Sequence, residues 1–276
     1  MNSTVTPTRA AIARSWLLVP ARSSEELDRA AKSPADVVVL DLEDGVPPSG
    51  KAAARVVARE WLRHRRGWLR INSRTSPSWR DDLESLHDLE GVEGVVLAKS
   101  ESPDEVAATA DALGGAVPLI ALVESARGIA RAAEIAASPH VVRLAFGRGD
   151  FRRDTGIADT PLALAHARSQ LVIASRLADI AAPIDGPCLS TDPTRILADA
   201  AITAEMGMTG KLCLRPEQAS ITNDALSPTD DEVTWAEQVV ARLGASGSGI
   251  ENGSDLPALQ RARNLLSLRA QLDSMW

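Results

Sequence analysis

Tyrosine is absent from this 276-residue chain, and with two Phe and six Trp the aromatics come to only 3%. A core of ordinary size must then be built from Val, Leu, Ile and Ala. Cysteine is scarce too. Cys188 and Cys213 are too few for a disulfide scaffold and have no metal-ligand spacing. They fit buried free thiols in a reducing, cytoplasmic setting. No apolar run approaches the roughly 20 residues that a bilayer span requires, so no membrane partner is expected. Positive charge is in deficit: 30 Lys and Arg against 37 Asp and Glu leave a net charge of -7. That excludes a general nucleic-acid binder, which needs a basic footprint. It does not exclude an anionic small molecule, because local arginines decide that. No Gly-x-Gly-x-x-Gly turn follows the first apolar run, which weakens a dinucleotide-binding fold. Residues 1–14 mix Thr, Ser, Pro and Arg without a long apolar stretch, and predict a flexible tail rather than a signal peptide.

What is present is a regular alternation. Short, β-branched-rich apolar runs at 15–20, 37–42, 68–72, 94–99, 119–124, 142–147, 183–188 and 210–215 predict eight strands. Their unbroken apolar character predicts burial on both faces, as in parallel sheets. The seventh run is interrupted by prolines and is the weakest of the set. Helical stretches fall between them. The one near 102 opens Ser-Pro-Asp-Glu, and the one near 192 opens Asp-Pro, both good helix starts. The segment 148–159, rich in Arg, Gly and Asp, predicts a loop before a long helix at 161–180. Eight β/α repeats favour a (β/α)8 TIM barrel over 15–243. A Gly/Ser-rich flexible linker at 244–256 and a C-terminal helix or lid at 257–276 follow it. A helix outside a finished barrel needs a surface to pack on, which suggests a homo-oligomer or a closing lid.

The chemistry is expected at the carboxyl ends of the strands, where α/β barrels carry their active sites. Glu124 and Asp150 close or follow the fifth and sixth runs. Two carboxylates from neighbouring strands can share one hard cation, and Mg2+ commonly takes one or two carboxylates with water or substrate in its other positions. Arg70 alternates with Leu69 and Ile71, so it points into the barrel if they face the helices. There it needs an anion, either a substrate carboxylate or Asp41 or Glu43. Asp41, Glu43 and Asp44 crowd one strand end. Lys51 and Arg55, one helical turn apart, fit a solvated helix face or neutralisation of that acidic turn. Lys99 ends the fourth run close to the acids, and Arg22, just after the first, is a candidate for binding an anionic group or a plain surface residue.

Taken in order, several segments carry a resemblance. They are Ser15-Trp-Leu-Leu-Val-Pro-Ala21, Val39-Leu-Asp-Leu-Glu-Asp-Gly-Val46, Lys51-Ala-Ala-Ala-Arg55, Leu69-Arg-Ile-Asn72, Val96-Leu-Ala-Lys99, Leu122-Val-Glu-Ser-Ala-Arg-Gly128, Phe146-Gly-Arg-Gly-Asp150 and Gly207-Met-Thr-Gly-Lys211. With Asp255-Leu-Pro-Ala-Leu-Gln-Arg-Ala262 in the tail, the chain resembles the citrate lyase β subunit and its free-standing relatives in the HpcH/HpaI aldolase and citrate lyase superfamily. The resemblance implies a Mg2+-dependent carbon–carbon lyase acting on a β-hydroxyacyl-CoA thioester of the malyl-, citramalyl- or citryl type, giving acetyl-CoA and a keto acid. It implies Glu124 and Asp150 as metal ligands, with Glu124 also facing the substrate, and Arg70 on a substrate carboxylate. Glu43 is implied near the metal waters or in acid–base work, and Asp255 as an acid–base group delivered by the C-terminal helix across a subunit interface. It also implies a homotrimer. Asp255 equally suits an N-cap of the helix starting at Pro257.

Two positions depart from the family's pattern. Gly147-Arg148-Gly149-Asp150 keeps the metal Asp but loses the acid before it and gains an arginine. Leu214-Arg215-Pro216 has Arg where the family usually has His. The departures suggest an altered pocket. They also leave open a second reading, a non-catalytic or acyl-carrier-dependent CoA-binding subunit of a larger lyase complex.

Overall fold

The computed structural model describes residues 8–115 and 117–275. Of the tail expected over 1–14, residues 1–7 lie outside the described residues; Arg9–Ile12 form a short helix, α1. Eight parallel strands then close on themselves in sequence order. They are β1 (Ser15–Pro20), β2 (Val37–Asp41), β3 (Gly67–Ile71), β4 (Val92–Leu97), β5 (Leu119–Val123), β6 (Val141–Phe146), β7 (Ala181–Asp185) and β8 (Gly210–Cys213). Closure runs through β8 and β1, where Ser15 pairs with Lys211, Trp16 with Leu212 and Leu17 with Cys213. Between and after the strands come α2 (Ser24–Ala31), α3 (Lys51–Leu62), α4 (Ser78–Glu84), α5 (Pro103–Ala112), α6 (Ala126–Ala130), α7 (Ala132–Ala136), α8 (Arg148–Thr155), α9 (Pro161–Leu177), α10 (Pro193–Glu205) and α11 (Glu217–Ala225). The fold is the (β/α)8 barrel that the alternation predicts.

The helices start where the side chains can cap them. Ser23, Ser102, Ser125 and Thr160 each accept a hydrogen bond from the backbone N–H three residues on, and Asp192 accepts one from Thr194. Two stretches differ from expectation. The loop predicted at 148–159 contains α8, which Gly156 ends in the left-handed conformation at φ 72°. β7 begins two residues early and stops at Asp185. The register between β6 and β7 shifts between the Arg143–Ala181 and Ala145–Ile184 pairs, an irregularity of the kind that lets Pro183 sit within a strand.

The layer between strands and helices is mainly aliphatic, with Trp61, Trp79, Phe146 and Phe151 as its aromatic members. The barrel interior is not. Trp16 and Trp68 meet edge to face there, with ring centroids 5.2 Å apart, and the Arg143 guanidinium lies 5.8 Å from the Trp16 ring. Gly94 makes room for this, since a Cβ there would sit 2.4 Å from the Trp68 ring. Arg143 donates to the carbonyls of Ala13 and Ala182 and to Thr209 Oγ1. Burial draws its guanidinium down to about 9. Both cysteines are buried and free, and burial pushes the Cys213 thiol up to about 11.

The chain divides into two compact units. Residues 13–225 are the barrel. The described residues before Ala13 group with Leu226 onward, so α12 (Asp230–Leu243) goes with α13 (Asp255–Met275). Ala236, Val239 and Leu243 of α12 pack on Leu259 and Ala262 of α13. A capping box of Thr229 and Glu232 starts α12. No helix among the described residues is long and apolar enough to cross a membrane.

A cluster of fully buried charges lies at β7 and β8. Asp185 accepts from Arg168 Nε at 3.0 Å, Arg168 Nη2 at 3.1 Å, Thr203 Oγ1 at 2.8 Å and Lys211 Nζ at 3.1 Å. Burial opposes its charge, but Lys211 and Arg168 outweigh burial and hold the carboxyl well below the usual carboxylate range. Asp185→Asn leaves buried Arg168 without its carboxylate and Lys211 with Asp199 alone, and should cost about 3–5 kcal/mol in chemical denaturation near pH 7. A depressed folded-state value means this contribution is complete above about pH 4, where the unfolded Asp titrates. The gap between wild type and Asp185→Asn should therefore be flat above that pH and narrow below it.

Candidate active site

The site forms at the carboxyl ends of β2 to β6. β2 ends in Asp41, whose carboxylate folds the turn after it by accepting from the N–H groups of Glu43 (2.8 Å) and Gly45 (2.9 Å). Gly45 is required for this closeness, since a Cβ there would lie 2.2 Å from Asp41 Oδ2. Arg70 lies on the same face of β3 as Trp68 and so points into the barrel. It grips Asp41 with two parallel bonds, Nε to Oδ1 at 2.8 Å and Nη2 to Oδ2 at 2.7 Å, and its Nη1 is 3.3 Å from Glu43 Oε2. Burial disfavours its charge, yet Asp41, then Glu43 and Glu124, hold the guanidinium well above its usual range. The anion that Arg70 meets here is thus Asp41, and its Nη1 edge is what faces the remaining acids.

Lys99 follows β4 in a left-handed conformation, φ 51°, which costs a non-glycine residue about 1 kcal/mol. The turn aims two groups at the site. Its backbone N–H donates to Glu124 Oε1 at 2.8 Å. Its ammonium pairs with Glu43, reaches Asp44 at 3.2 Å, and lies 3.7 Å from Asp150 Oδ2. Lys51 contributes from α3 by donating to the carbonyls of Leu42 (2.8 Å) and Glu43 (2.9 Å), which secures the acidic turn. Arg55 goes elsewhere: it is mostly buried against Asp82 at 2.7 Å and Asp81 at 3.2 Å. Asp82 in turn accepts from the backbone and side-chain amides of Asn72.

Glu124 follows β5 and is buried. With Oε1 taken by Lys99, Oε2 has no hydrogen-bond donor among the described residues. Gly147 sits directly against it: a Cβ at 147 would lie 2.1 Å from Oε2. Asp150 stands in the first turn of α8, where the helix dipole favours a negative charge, and its Oδ1 is 3.1 Å from Arg153. Burial, with Asp150 and Glu43 adding repulsion against the attraction of Arg70, pushes the Glu124 carboxyl up to about 8. Burial also raises Glu43, against the pull of Arg70 and Lys99. Beside this group, a cavity of about 300 Å³ is lined by Glu43, Asp44, Lys51, Asn72, Ser73 and Lys99.

Glu43, Arg70, Glu124 and Asp150 are therefore brought into one electrostatic cluster. Arg22 is exposed at the rim, with Nε and Nη2 donating to the Gly45 carbonyl at 3.1 and 2.5 Å. Asp255 belongs to the other unit. There its carboxylate accepts from the N–H groups of Glu251 and Asn252 and from Arg242, and the Glu251 bond foremost draws it below its usual range. Sequence reasoning did not single out the Lys99 backbone N–H or the space at Gly147. The glycine in Phe-Gly-Arg-Gly-Asp was the one visible signal for the second.

Among the described residues no three His, Cys, Asp or Glu side chains converge as a metal-binding set. What the cluster offers is two carboxylates, one with an open oxygen, in a pocket where anionic repulsion is uncompensated. That donor set suits a hard divalent cation that keeps water or substrate on its other positions.

Residues 14–216 match the model of the HpcH/HpaI aldolase/citrate lyase family, and residues 231–272 match that of the HpcH/HpaI aldolase C-terminal domain. A citrate lyase subunit beta-like protein of Deinococcus radiodurans is 33% identical over 94% of this chain and 98% of that protein. The L-malyl-CoA/beta-methylmalyl-CoA lyase of Rhodobacter capsulatus is 31% identical over 86% of each chain. Among solved structures, CitE of Mycobacterium tuberculosis in complex with magnesium, acetoacetate and coenzyme A superposes with a TM-score of 0.78 at 30% identity, covering 95% of this chain and 100% of that one. A closed eight-stranded parallel barrel with two acidic strand ends, followed by a separate helical unit, matches at both of its parts, and the chain belongs to the HpcH/HpaI aldolase/citrate lyase family.

Proposed function

We propose that this chain is a Mg2+-dependent carbon–carbon lyase that cleaves a β-hydroxyacyl-CoA of the malyl-, citramalyl- or citryl type into acetyl-CoA and a keto acid. The observation that carries this is the pairing of a buried, half-free Glu124 with Asp150 beside Arg70 and Glu43 at the barrel mouth. Lyases of this kind among the relatives, and a structural neighbour that binds magnesium with coenzyme A, support it.

Glu124 and Asp150 would hold the cation. Bound there, it would supply Lewis acidity to the substrate's carboxylate and adjacent oxygen. The rest falls to the chain's own groups. Arg70 presents the Nη1 edge that Asp41 does not occupy and orients a substrate carboxylate. Glu43 is buried and raised, so its carboxylate is a stronger base than usual, and it takes the proton of the substrate hydroxyl. The carbon–carbon bonding pair then passes to the acyl fragment as the enolate of acetyl-CoA. Protonation of the enolate carbon yields acetyl-CoA, and the hydroxyl-bearing fragment leaves as the keto acid. Lys99 keeps Glu43 in place and balances its charge. Asp255, the other proton candidate, has both oxygens occupied and its proton affinity lowered, the profile of a helix-anchoring acid. We therefore assign the proton step to Glu43. Arg22, held beside the acidic turn, is assigned to the phosphates of coenzyme A. Assembly as a homo-oligomer, a trimer by family resemblance, belongs to the same proposal.

The direct test is keto-acid release from malyl-, citramalyl- and related β-hydroxyacyl-CoA esters. Wild type should release it only with Mg2+, and Glu124→Ala should lower kcat/KM by roughly a hundredfold or more. Retained CoA binding with no turnover across the panel would move the function to a non-catalytic or carrier-dependent subunit.

Gly147→Ala probes the same site through space alone. The added methyl must displace Glu124, so Mg2+ affinity measured by calorimetry should fall by roughly tenfold or more while the far-UV circular dichroism stays that of wild type.

A further inference from the structure

We propose that Arg148 is a positioning residue for the cation-binding pair: it clamps the first turn of α8 to β7 and α10 and so fixes where the Asp150 carboxylate stands. The inference rests on the assignment of Glu124 and Asp150 as that pair.

α8 has weak means of its own to hold its start. It is eight residues long, and Gly147 at its N-cap offers no side-chain hydrogen bond. Gly149 adds a residue of poor helix propensity and no packing. Arg148 supplies the missing anchor. Its side chain is buried and ties three other segments to the helix. Nη2 donates to the Pro187 carbonyl after β7 at 2.5 Å. Nη1 donates to Asp199 Oδ1 on α10 at 2.8 Å. Nε lies 3.6 Å from Asp159 in the connection to α9. The opposing backbone is shaped to admit it: a Cβ on Gly186 would come within 2.6 Å of Arg148 Cβ and 3.2 Å of its backbone nitrogen.

The geometry of a helix turns this anchor into a positioning device. Residues two apart lie about 200° apart around the axis. Arg148 therefore points inward while Asp150 points to the other side, toward Lys99. Phe151, one position further on, packs on Phe146 with ring centroids 5.4 Å apart and holds the helix body. Phe151 is an apolar contact that tolerates sliding. Arg148 is a directional, multidentate one that sets the helix rotation.

The clamp is in turn braced. Asp199 Oδ2 is 2.8 Å from Lys211 Nζ, an ion pair, and Lys211 also holds Asp185. The start of α8, and Asp150 with it, is thus tied to the buried charges at β7 and β8, in addition to the exposed Arg153 that pairs with Asp150 directly.

The test uses the full chain and Mg2+ as the probe, with calorimetric titration and amide hydrogen exchange over residues 148–155. Arg148→Lys keeps the charge and loses the planar fork. It should weaken Mg2+ binding by roughly tenfold, and Arg148→Ala by roughly a hundredfold. Both should speed exchange in the first turn of α8 without Mg2+. Asp199→Asn, which removes the partner, should shift Mg2+ affinity in the same direction. A purely structural role would lower Tm and leave Mg2+ affinity of the folded protein unchanged. A dissociation constant within twofold of wild type in folded Arg148→Lys, with Glu124→Gln binding lost as expected, overturns the inference alone. A wild type that binds no Mg2+, or a Glu124→Gln variant that binds it as wild type does, overturns the cation site and this inference with it.

Discussion

Two parallel charge-assisted bonds between Arg70 and Asp41 hold the mouth of this barrel in shape. Each partner is buried, and a buried carboxylate or guanidinium is tolerated only when its bonding capacity is filled. Asp41 fills its remaining capacity with the N–H groups of Glu43 and Gly45. The acidic turn is therefore folded by the same carboxylate that neutralises the arginine. From there the contacts propagate. The turn presents Glu43 to Lys99, and Lys99 hands its backbone N–H to Glu124. Glu124 lies against the bare backbone of Gly147, three residues before Asp150. Each link depends on the previous one being in register, and the barrel supplies that register because Asp41 and Arg70 are paired across β2 and β3.

The charges gathered this way do not balance. Asp41, Glu43, Asp44, Glu124 and Asp150 meet Arg70, Lys99 and, on Asp150, the exposed Arg153, while Lys51 is turned to backbone carbonyls. Burial first, and then the repulsion of Asp150 and Glu43 against the attraction of Arg70, raises the Glu124 carboxyl to about 8. Structural ion-pair clusters remove such imbalance by pairing, as Asp185 does among Arg168, Lys211 and Thr203. The contrast between a depressed Asp185 and a raised Glu124 in one barrel is a difference on which the proposed cation site rests.

Much of this was legible before the structure. Strands buried on both faces read as unbroken apolar runs, so the eight-fold alternation stood out. Arg70 was legible as inward-facing because Leu69 and Ile71 so plainly face the helices. What failed to show shares a physical cause. α8 read as a loop because Gly and Asp, which punctuate the segment, have low helix propensity. It forms because tertiary contacts through Arg148 and Phe151 override propensity, and Gly156 closes it. Arg55 found Asp82 27 positions away, a pairing with no local signature. The two tryptophans inside the barrel were invisible for a related reason: composition counts aromatics but does not place them, and Gly94, which makes their space, reads as an ordinary strand glycine. The helix at Asp230–Leu243 was legible as a helix, but its allegiance to α13 follows from Ala236, Val239 and Leu243 having partners only there among the apolar contacts described.

The two departures from the family pattern, Arg148 and Arg215, look alike in sequence and are opposite in structure. Both add a fixed positive charge near the carboxyl ends of the strands. Arg148 is buried, and its charge is consumed internally by Asp199 and Asp159, so it adds no positive field for a substrate to meet. Arg215, two residues past β8, is exposed. Only the second can act on a ligand directly. Replacing the family's usual acid at position 149 with glycine removes a carboxylate from a cluster already in anionic excess. A Cβ at 149 would meet nothing within 4 Å, so the loss of the side chain is not forced by packing. With glycine at 149 and arginine at 148, Asp150 is the one acid in the first turn of α8.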